Sequence, residues 1–259
     1  MNKKLARMNQ IIDILKEKQT TSAKELASYF DVSEMTIRRD LDVLASNNII
    51  TTSYGSVFFN EDNNSATLTD NYEVMDEMDK LNDEKHRIGL FAASLIEPND
   101  VIIIDTGSTT EQLACSMPGD IPMTVMCYNL NILTEIRKLK NIQLIFAGGY
   151  YHDNTQMFES AEGVQLIRRT RANKVFVSAA GVHERLGVTC VHHYEVPTKN
   201  AIIDSSVTKI LLADSSKFGA IRTAYFAQLN DFDIIITDTK LPQTWVDYIN
   251  NLGIKLYRV

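Results

Sequence analysis

VSEMTIRRDLDVL, residues 32–44, decides how the first part of the chain is to be read. Wound as a helix, it places Ile37, Leu41 and Leu44 at i, i+4 and i+7, an apolar stripe for a core. Ser33 precedes the stripe as an N-cap, Glu34 and Thr36 fall in the first turn, and Met35, Arg38, Arg39 and Asp42 project from the other faces. Just upstream, Ser22 followed by Glu25 is a capping box, so a helix starts there and runs to about Phe30. Only Asp31, Val32 and Ser33 separate the two. A preceding helix over residues 4–18 carries Leu5, Met8, Ile11, Ile12 and Leu15 at helical spacing. Ile49 to Phe59, β-branched and aromatic around Gly55, reads as a hairpin. Three helices with a tight second turn, then a hairpin, is the outline of a winged helix-turn-helix. In such a domain the exposed first turn of the last helix meets base edges in the major groove, and arginines reach guanine or phosphate. The same residues would also suit a solvated amphipathic helix.

The 259 residues suggest two domains. Apolar residues make up 44% and charged residues 23%, ordinary for a globular protein. The net charge of −7 argues against nonspecific nucleic-acid binding by the whole chain. Its distribution is uneven: residues 1–59 hold eight basic and seven acidic side chains, so the remainder carries −8. So small a positive excess in one reading module predicts a homodimer or homotetramer on paired half-sites of double-stranded DNA. Three widely spaced cysteines, Cys115, Cys127 and Cys190, do not form a disulfide framework. With no membrane-spanning run and no secretion signal, a cytoplasmic location without membrane contact is expected.

Residues 60–70, NEDNNSATLTD, are polar and poor in bulky side chains, and 60–80 read as linker and arm between domains 1–59 and 81–259. A helix from Asn82 leads into apolar runs at 101–104, 123–126, 142–147, 175–179, 210–213, 234–237 and 254–257. Near-continuous apolar strands alternating with helices indicate a Rossmann-like, mostly parallel sheet covered on both faces. The first run ends in Asp105-Thr106-Gly107-Ser108-Thr109-Thr110. A strand, a small hydroxyl-rich turn and a helix start make an anion site, or simply an N-capped turn.

The segment Glu25-Leu26-Ala27, Phe30, Val32-Ser33, Thr36-Ile37-Arg38-Arg39-Asp40-Leu41 and Leu44 resembles the N-terminal pattern of the DeoR family of bacterial regulators. The rest resembles the family's sensor domain, which is similar to ribose-5-phosphate isomerase and related phosphosugar proteins. The landmarks are Lys85 with Ile88, Asp105 to Thr110, Gly148-Gly149, Gly181, Gly187 with Thr189, Glu195 with Lys199, and Asp214 to Gly219. The resemblance implies DNA contacts from Ser33, Glu34, Met35, Thr36, Arg38, Arg39 and the wing. It implies a phosphorylated sugar or related effector at Asp105, Gly107, Ser108, Thr109, Thr110, Gly148, Gly149, Glu195, Lys199 and Lys217, and repression of a sugar operon as the commoner family behaviour, with activation the alternative. Two stretches depart from the pattern. The wing reads Thr51-Thr52-Ser53-Tyr54-Gly55-Ser56, without the usual arginine and with Tyr54 in place of a histidine. After the second strand, Cys127-Tyr128-Asn129 replaces Thr-Asn-Ser, so Tyr128 and Asn129 join the pocket residues or pack in the core.

No cofactor is called for. Cys190, His192, His193 and Glu195 are metal-ligand types, but their spacing suits a loop lining the sugar pocket better than a metal site. Arg168, Arg169 and Arg171 read as a solvated helix end. The rival reading is a phosphosugar isomerase, which needs a general base at the substrate carbon. The strand end Ser178-Ala179-Ala180-Gly181 offers no carboxylate, and an isomerase has no use for a recognition helix. An architectural DNA-binding protein without effector control would not need a domain of this size.

Overall fold

The computed structural model describes residues 7, 10–12, 14–15, 20–46, 50–53, 56–59 and 81–259. The chain divides into two compact units, Met1–Asn71 and Tyr72–Val259. Tyr54 and the proposed linker, 60–80, lie outside the described residues, as does most of the first expected helix.

The first unit contains β1 (Thr20–Ser22), α1 (Ala23–Phe30), α2 (Glu34–Ser46), β2 (Ile50–Ser53) and β3 (Ser56–Phe59). The capping box forms at the start of α1: the Glu25 amide donates to Ser22 Oγ at 3.2 Å and the Ser22 amide to Glu25 Oε2 at 3.3 Å. Asp31, at φ 52°, takes the left-handed conformation that ends α1. Ser33 Oγ accepts the Thr36 amide at 3.2 Å and so starts α2. Leu26, Ile37, Leu41 and Leu44 pack with Ile11, Leu15, Ile50 and Val57, all nearly inaccessible. The two hairpin strands pair antiparallel, and β1 adds a third, with Thr21 opposite Val57. Sequence alone gave residues 20–22 only a capping role, because three residues are too few to show a period of two.

Asp40, in the middle of the reading segment, points inward. It is 1% exposed and accepts from Arg7 Nε at 2.7 Å, an ion pair that ties the first helical segment to α2.

The second unit opens with α3 (Asn82–Ala93), β4 (Val101–Ile104), α4 (Ser108–Ser116), β5 (Met123–Cys127), α5 (Leu130–Ile136) and β6 (Ile142–Phe146). A hairpin, β7 (Tyr150–His152) and β8 (Met157–Glu159), leads to α6 (Ala161–Arg169) and β9 (Ala172–Ser178). Next come β10 (Gly181–His183), β11 (Gly187–Cys190), a 3-10 turn (His193–Glu195) and α7 (Val196–Asp204). The unit ends with β12 (Ser206–Leu212), a 3-10 turn (Ser215–Lys217), β13 (Ala224–Ala227), β14 (Ile234–Thr237), α8 (Gln243–Asn251) and β15 (Lys255–Arg258).

Seven strands form one parallel sheet in the order β15-β14-β12-β9-β4-β5-β6. These are the seven apolar runs. Alternate residues serve opposite faces, as the pleat requires. Ile102 and Ile104 join Ile88, Leu113 and Ile132 from α3, α4 and α5 in one core. Ile103 joins Ile167, Ile202 and Ile249 from α6, α7 and α8 in the other. The second core also receives a small antiparallel sheet, β10-β11-β13, through Val182, Val188 and Phe226. These three strands and the β7–β8 hairpin are three to four residues long, too short to declare themselves in the sequence. Arg168 and Arg169 end α6, and the Arg171 guanidinium caps the carbonyl of Arg168 at 2.7 Å. The three cysteines are free thiols, and no described helix is long and apolar enough to cross a membrane.

Because Arg7 stays largely covered once its partner is gone, Asp40→Ala should cost the first unit about 2–3 kcal/mol. Denaturant unfolding of the full chain followed by hydrogen exchange in α2 measures this. A loss below about 0.5 kcal/mol would mean the pair behaves like an exposed one.

Candidate functional site

In the parallel sheet the chain runs outward from β4 through β5 to β6, then returns to the other side of β4 as β9 and continues through β12, β14 and β15. The reversal opens a crevice between the carboxyl ends of β4 and β9, the position where open α/β sheets bind ligands. Asp105 stands at the end of β4 and Ser178 at the end of β9.

Asp105 is fully buried and saturated with donors. Tyr128 donates its hydroxyl to Oδ1. Oδ2 accepts the Ser178 amide at 2.8 Å, the Ser178 hydroxyl at 3.3 Å and Lys199 Nζ at 2.5 Å. Lys199, on α7, is 1% exposed; its ammonium also donates to the Ser178 carbonyl at 3.2 Å and lies 4.9 Å from the centre of the Phe226 ring. Burial works against its charge, but the carboxylates of Asp105 and Glu195 outweigh burial and hold its pKa above the ordinary lysine value. Two of the three ammonium hydrogens are used within the protein. Glu195, 4% exposed, accepts the His192 amide at 3.0 Å; burial raises its pKa despite the attraction of Lys199. Burial, then the Asp105 charge, raises the pKa of Tyr128 as well, so its hydroxyl keeps its proton.

Beside this cluster lies a small cleft, partly open to solvent. Thr106, Gly107, Thr155, Ser178, Glu195 and Lys199 supply its polar lining, with Ala179, Ala180, Cys190 and Val191. Gly107, at φ +149°, begins α4; a Cβ there would fall 2.6 Å from Ser178 Oγ. The first turn of α4 adds backbone N–H groups without helical partners. The cleft offers charge-paired polar groups, one uncommitted ammonium hydrogen and a helix start, suiting a small hydroxylated or anionic molecule.

The structure therefore brings Gly107, Glu195 and Lys199 to one cleft. Asp105 and Tyr128 stand behind it as support, and Ser108, Thr109 and Thr110 are buried in the first turn of α4. Asn129, at the end of β5, is fully buried, and its Nδ2 finds no partner among the described residues. Gly148 and Gly149 do not line the cleft. They form the base of the β7–β8 hairpin, where a Cβ on Gly149 would collide with the Glu159 carbonyl at 2.2 Å. Lys217 is half-buried in the 3-10 turn after β12, also outside the cleft lining. Cys190 and Glu195 line the cleft, but no group of three or more metal-ligand side chains occurs among the described residues. The Cys190 thiol, pushed up to about 12 by burial and then by Glu195, stays protonated.

Thr106 belongs to the hydroxyl-rich turn read from the sequence, and Ser178 is read there only as a strand end without a carboxylate. Sequence does not single out Thr155, or Tyr194 whose hydroxyl lies 3.1 Å from that of Thr155. Thr155 and Tyr194 arrive from a turn and a 3-10 segment whose sequences carry no periodic signal.

In the first unit, Ser33, Glu34, Met35, Arg38 and Arg39 are exposed and Thr36 partly so. Ser33 and Thr36 share a hydroxyl contact of 2.8 Å, and Arg38 lies 3.9 Å from Glu34 one turn away. Met35 is 62% exposed, a large apolar side chain left in solvent at the start of α2.

A buried carboxyl with a raised pKa favours the folded state most when protonated. Its contribution is full below the ordinary value near 4.5 and is lost as pH rises towards the raised value. Glu195→Gln keeps an acceptor for the His192 amide, so it should raise the melting temperature at pH 7–8. That gain should shrink towards zero as pH falls to about 4.5, and thermal melts across this range measure it.

Two family models match this chain: a DeoR-like helix-turn-helix domain over residues 7–63 and a DeoR C-terminal sensor domain over residues 80–239. The deoxyribose operon repressor of Escherichia coli strain K12 is 31% identical over 250 residues, 96% of each chain. The HTH-type transcriptional regulator IolR of Bacillus subtilis strain 168 is 29% identical over 255 residues, 98% of this chain and 99% of that protein. Ribose 5-phosphate isomerase A of Methanocaldococcus jannaschii superposes with a TM-score of 0.39 at 15% identity, covering 53% of this chain and 54% of that one. A likeness at that level transfers nothing about activity. The pairing of a helix-turn-helix with this sensor domain, matched end to end by named regulators, makes the chain a member of the DeoR family of DNA-binding transcriptional regulators.

Proposed function

We propose that the chain represses a sugar-metabolism operon in the cytoplasm and that a phosphorylated sugar, or a related metabolite, binds the cleft between β4 and β9 to control it. The observation that carries this reading is the Asp105–Lys199 ion pair, buried at the sheet's switch point with Glu195 beside it. It leaves one ammonium hydrogen for a ligand acceptor, while Glu195 can accept from a ligand hydroxyl. The first turn of α4 favours an anion. Relatives point the same way: their names include a deoxyribose operon repressor and a glycerol-3-phosphate regulon repressor.

DNA is read by Ser33, Glu34, Met35, Thr36, Arg38 and Arg39, with Tyr54 in the wing. Met35 suits a thymine methyl and the arginines suit guanine or phosphate. The small positive charge of residues 1–59 favours a homodimer or homotetramer spanning paired half-sites. Effector binding changes operator affinity to the extent that the ligand prefers one arrangement of the oligomer.

A thermal-shift panel of pentose, hexose and triol phosphates, followed by gel shifts on the operator with each hit, tests the reading. At least one compound should raise the melting temperature and change operator affinity; a regulator indifferent to all of them would refute it. Gly107→Ala should abolish that response and cost about 1–3 kcal/mol by forcing strained backbone against Ser178. Operator binding without effector should persist. Loss of operator binding in a folded Gly107→Ala chain would contradict the division of labour.

A further inference from the structure

Two segments distant in sequence meet at one wall of the cleft. The turn inside the β7–β8 hairpin brings His152, Asn154 and Thr155; the segment before α7 brings His192 and Tyr194. The Tyr194 ring stacks on His152 at 3.7 Å and 5°, and on His192 at 5.0 Å and 8°. Asn154 joins them, meeting His192 Nε2 at 3.0 Å and accepting the Tyr194 hydroxyl at 2.8 Å. His152 Nε2 meets Glu159 across the hairpin at 2.9 Å. This three-ring stack fixes Tyr194 on both faces.

Tyr194 does not line the cleft, but Thr155 does. Thr155 is fully buried, its carbonyl accepts from Thr106 Oγ1 at 2.9 Å, and its hydroxyl lies 3.1 Å from the Tyr194 hydroxyl. A phenol has one hydrogen, and Tyr194 gives it to Asn154. In the bond to Thr155 the tyrosine oxygen therefore accepts and threonine donates. That leaves Thr155 Oγ1 with its acceptor capacity, on a residue that lines the cleft together with Glu195 and Lys199.

We propose that Tyr194 is a specificity-determining residue of the sensor: by holding the Thr155 hydroxyl as an acceptor, it selects ligands that present a hydroxyl group at this wall. Tyr194 acts through Thr155 as a positioning residue. A bare phosphate, bound through acceptor oxygens, gains little from this wall. The inference rests on the cleft being the effector site.

Titration calorimetry on the full chain tests it, with ribose 5-phosphate, glucose 6-phosphate and inorganic phosphate as probes. Tyr194→Phe keeps the stacked ring and loses only the hydroxyl; Thr155→Val keeps the shape and loses the acceptor; Thr155→Ser restores it. Expected is a sugar phosphate affinity about tenfold weaker in Tyr194→Phe and in Thr155→Val. Thr155→Ser should stay near wild type, and the double variant should be no worse than either single one. Affinity for inorganic phosphate should not change. Equal weakening for inorganic phosphate, additive losses in the double variant, or unaltered sugar phosphate binding would each overturn the proposal. If neither sugar phosphate binds the wild-type chain, the effector reading itself fails for these ligands at that first arm and takes the inference with it. A wild type that binds while the variants do not discriminate sinks the inference alone.

Discussion

The second unit is organised around one buried charge. An aspartate removed from water at the end of a central strand must be matched by donors, since the cost of leaving it unpaired is several kcal/mol. Asp105 is matched by a lysine from α7, a backbone amide and hydroxyl from β9, and a phenol from the end of β5. The donors come from three separate segments, so satisfying the carboxylate also sets the relative position of β4, β5, β9 and α7. The cleft has definite walls because the charge behind it is fully coordinated.

That arrangement also assigns different work to residues that look alike in sequence. Asp105 and Glu195 are both buried acids near one lysine. The first is held by four donors and acts as scaffold; the second keeps capacity towards the cleft and has a raised pKa. An isomerase in this fold would need a carboxylate free to take a proton from carbon, and Asp105, held by its donors behind the cleft, is not free to do so. The chemistry of the cleft suits recognition, in keeping with a family of regulators.

Much of this was legible in advance. Apolar runs of four to six residues mark all seven parallel strands, because a sheet covered on both faces needs mostly apolar side chains. Ser22 and Glu25 announce the start of α1 by mutual hydrogen bonding, a local event that sequence records directly. Asp105, Gly107, Glu195 and Lys199 could be named because motif resemblance ties them together across some ninety residues. The inward turn of Asp40 was hidden by its two arginine neighbours, which suggest a solvated face; only the approach of Arg7 from another helix makes burial tolerable. Likewise nothing in Thr155 or Tyr194 foretells their meeting, since the contact belongs to tertiary structure and to rings that stack with neighbours forty residues away. Gly148 and Gly149 resemble binding glycines, yet neither lines the cleft, and at Gly149 the hairpin folds back too closely for a side chain.

The cleft is assembled from the ends of two non-consecutive strands, a hairpin turn and a helix, its lining drawn from Thr106 to Lys199. No short stretch of the chain contains it. Contacts between segments so far apart form late, after the entropy of closing long loops has been met. A nascent or partly unfolded sensor therefore has no weakened version of the site; it has none. Ligand recognition is thereby tied to completion of the fold, and a metabolite that binds there also draws the whole unit towards its native state by mass action.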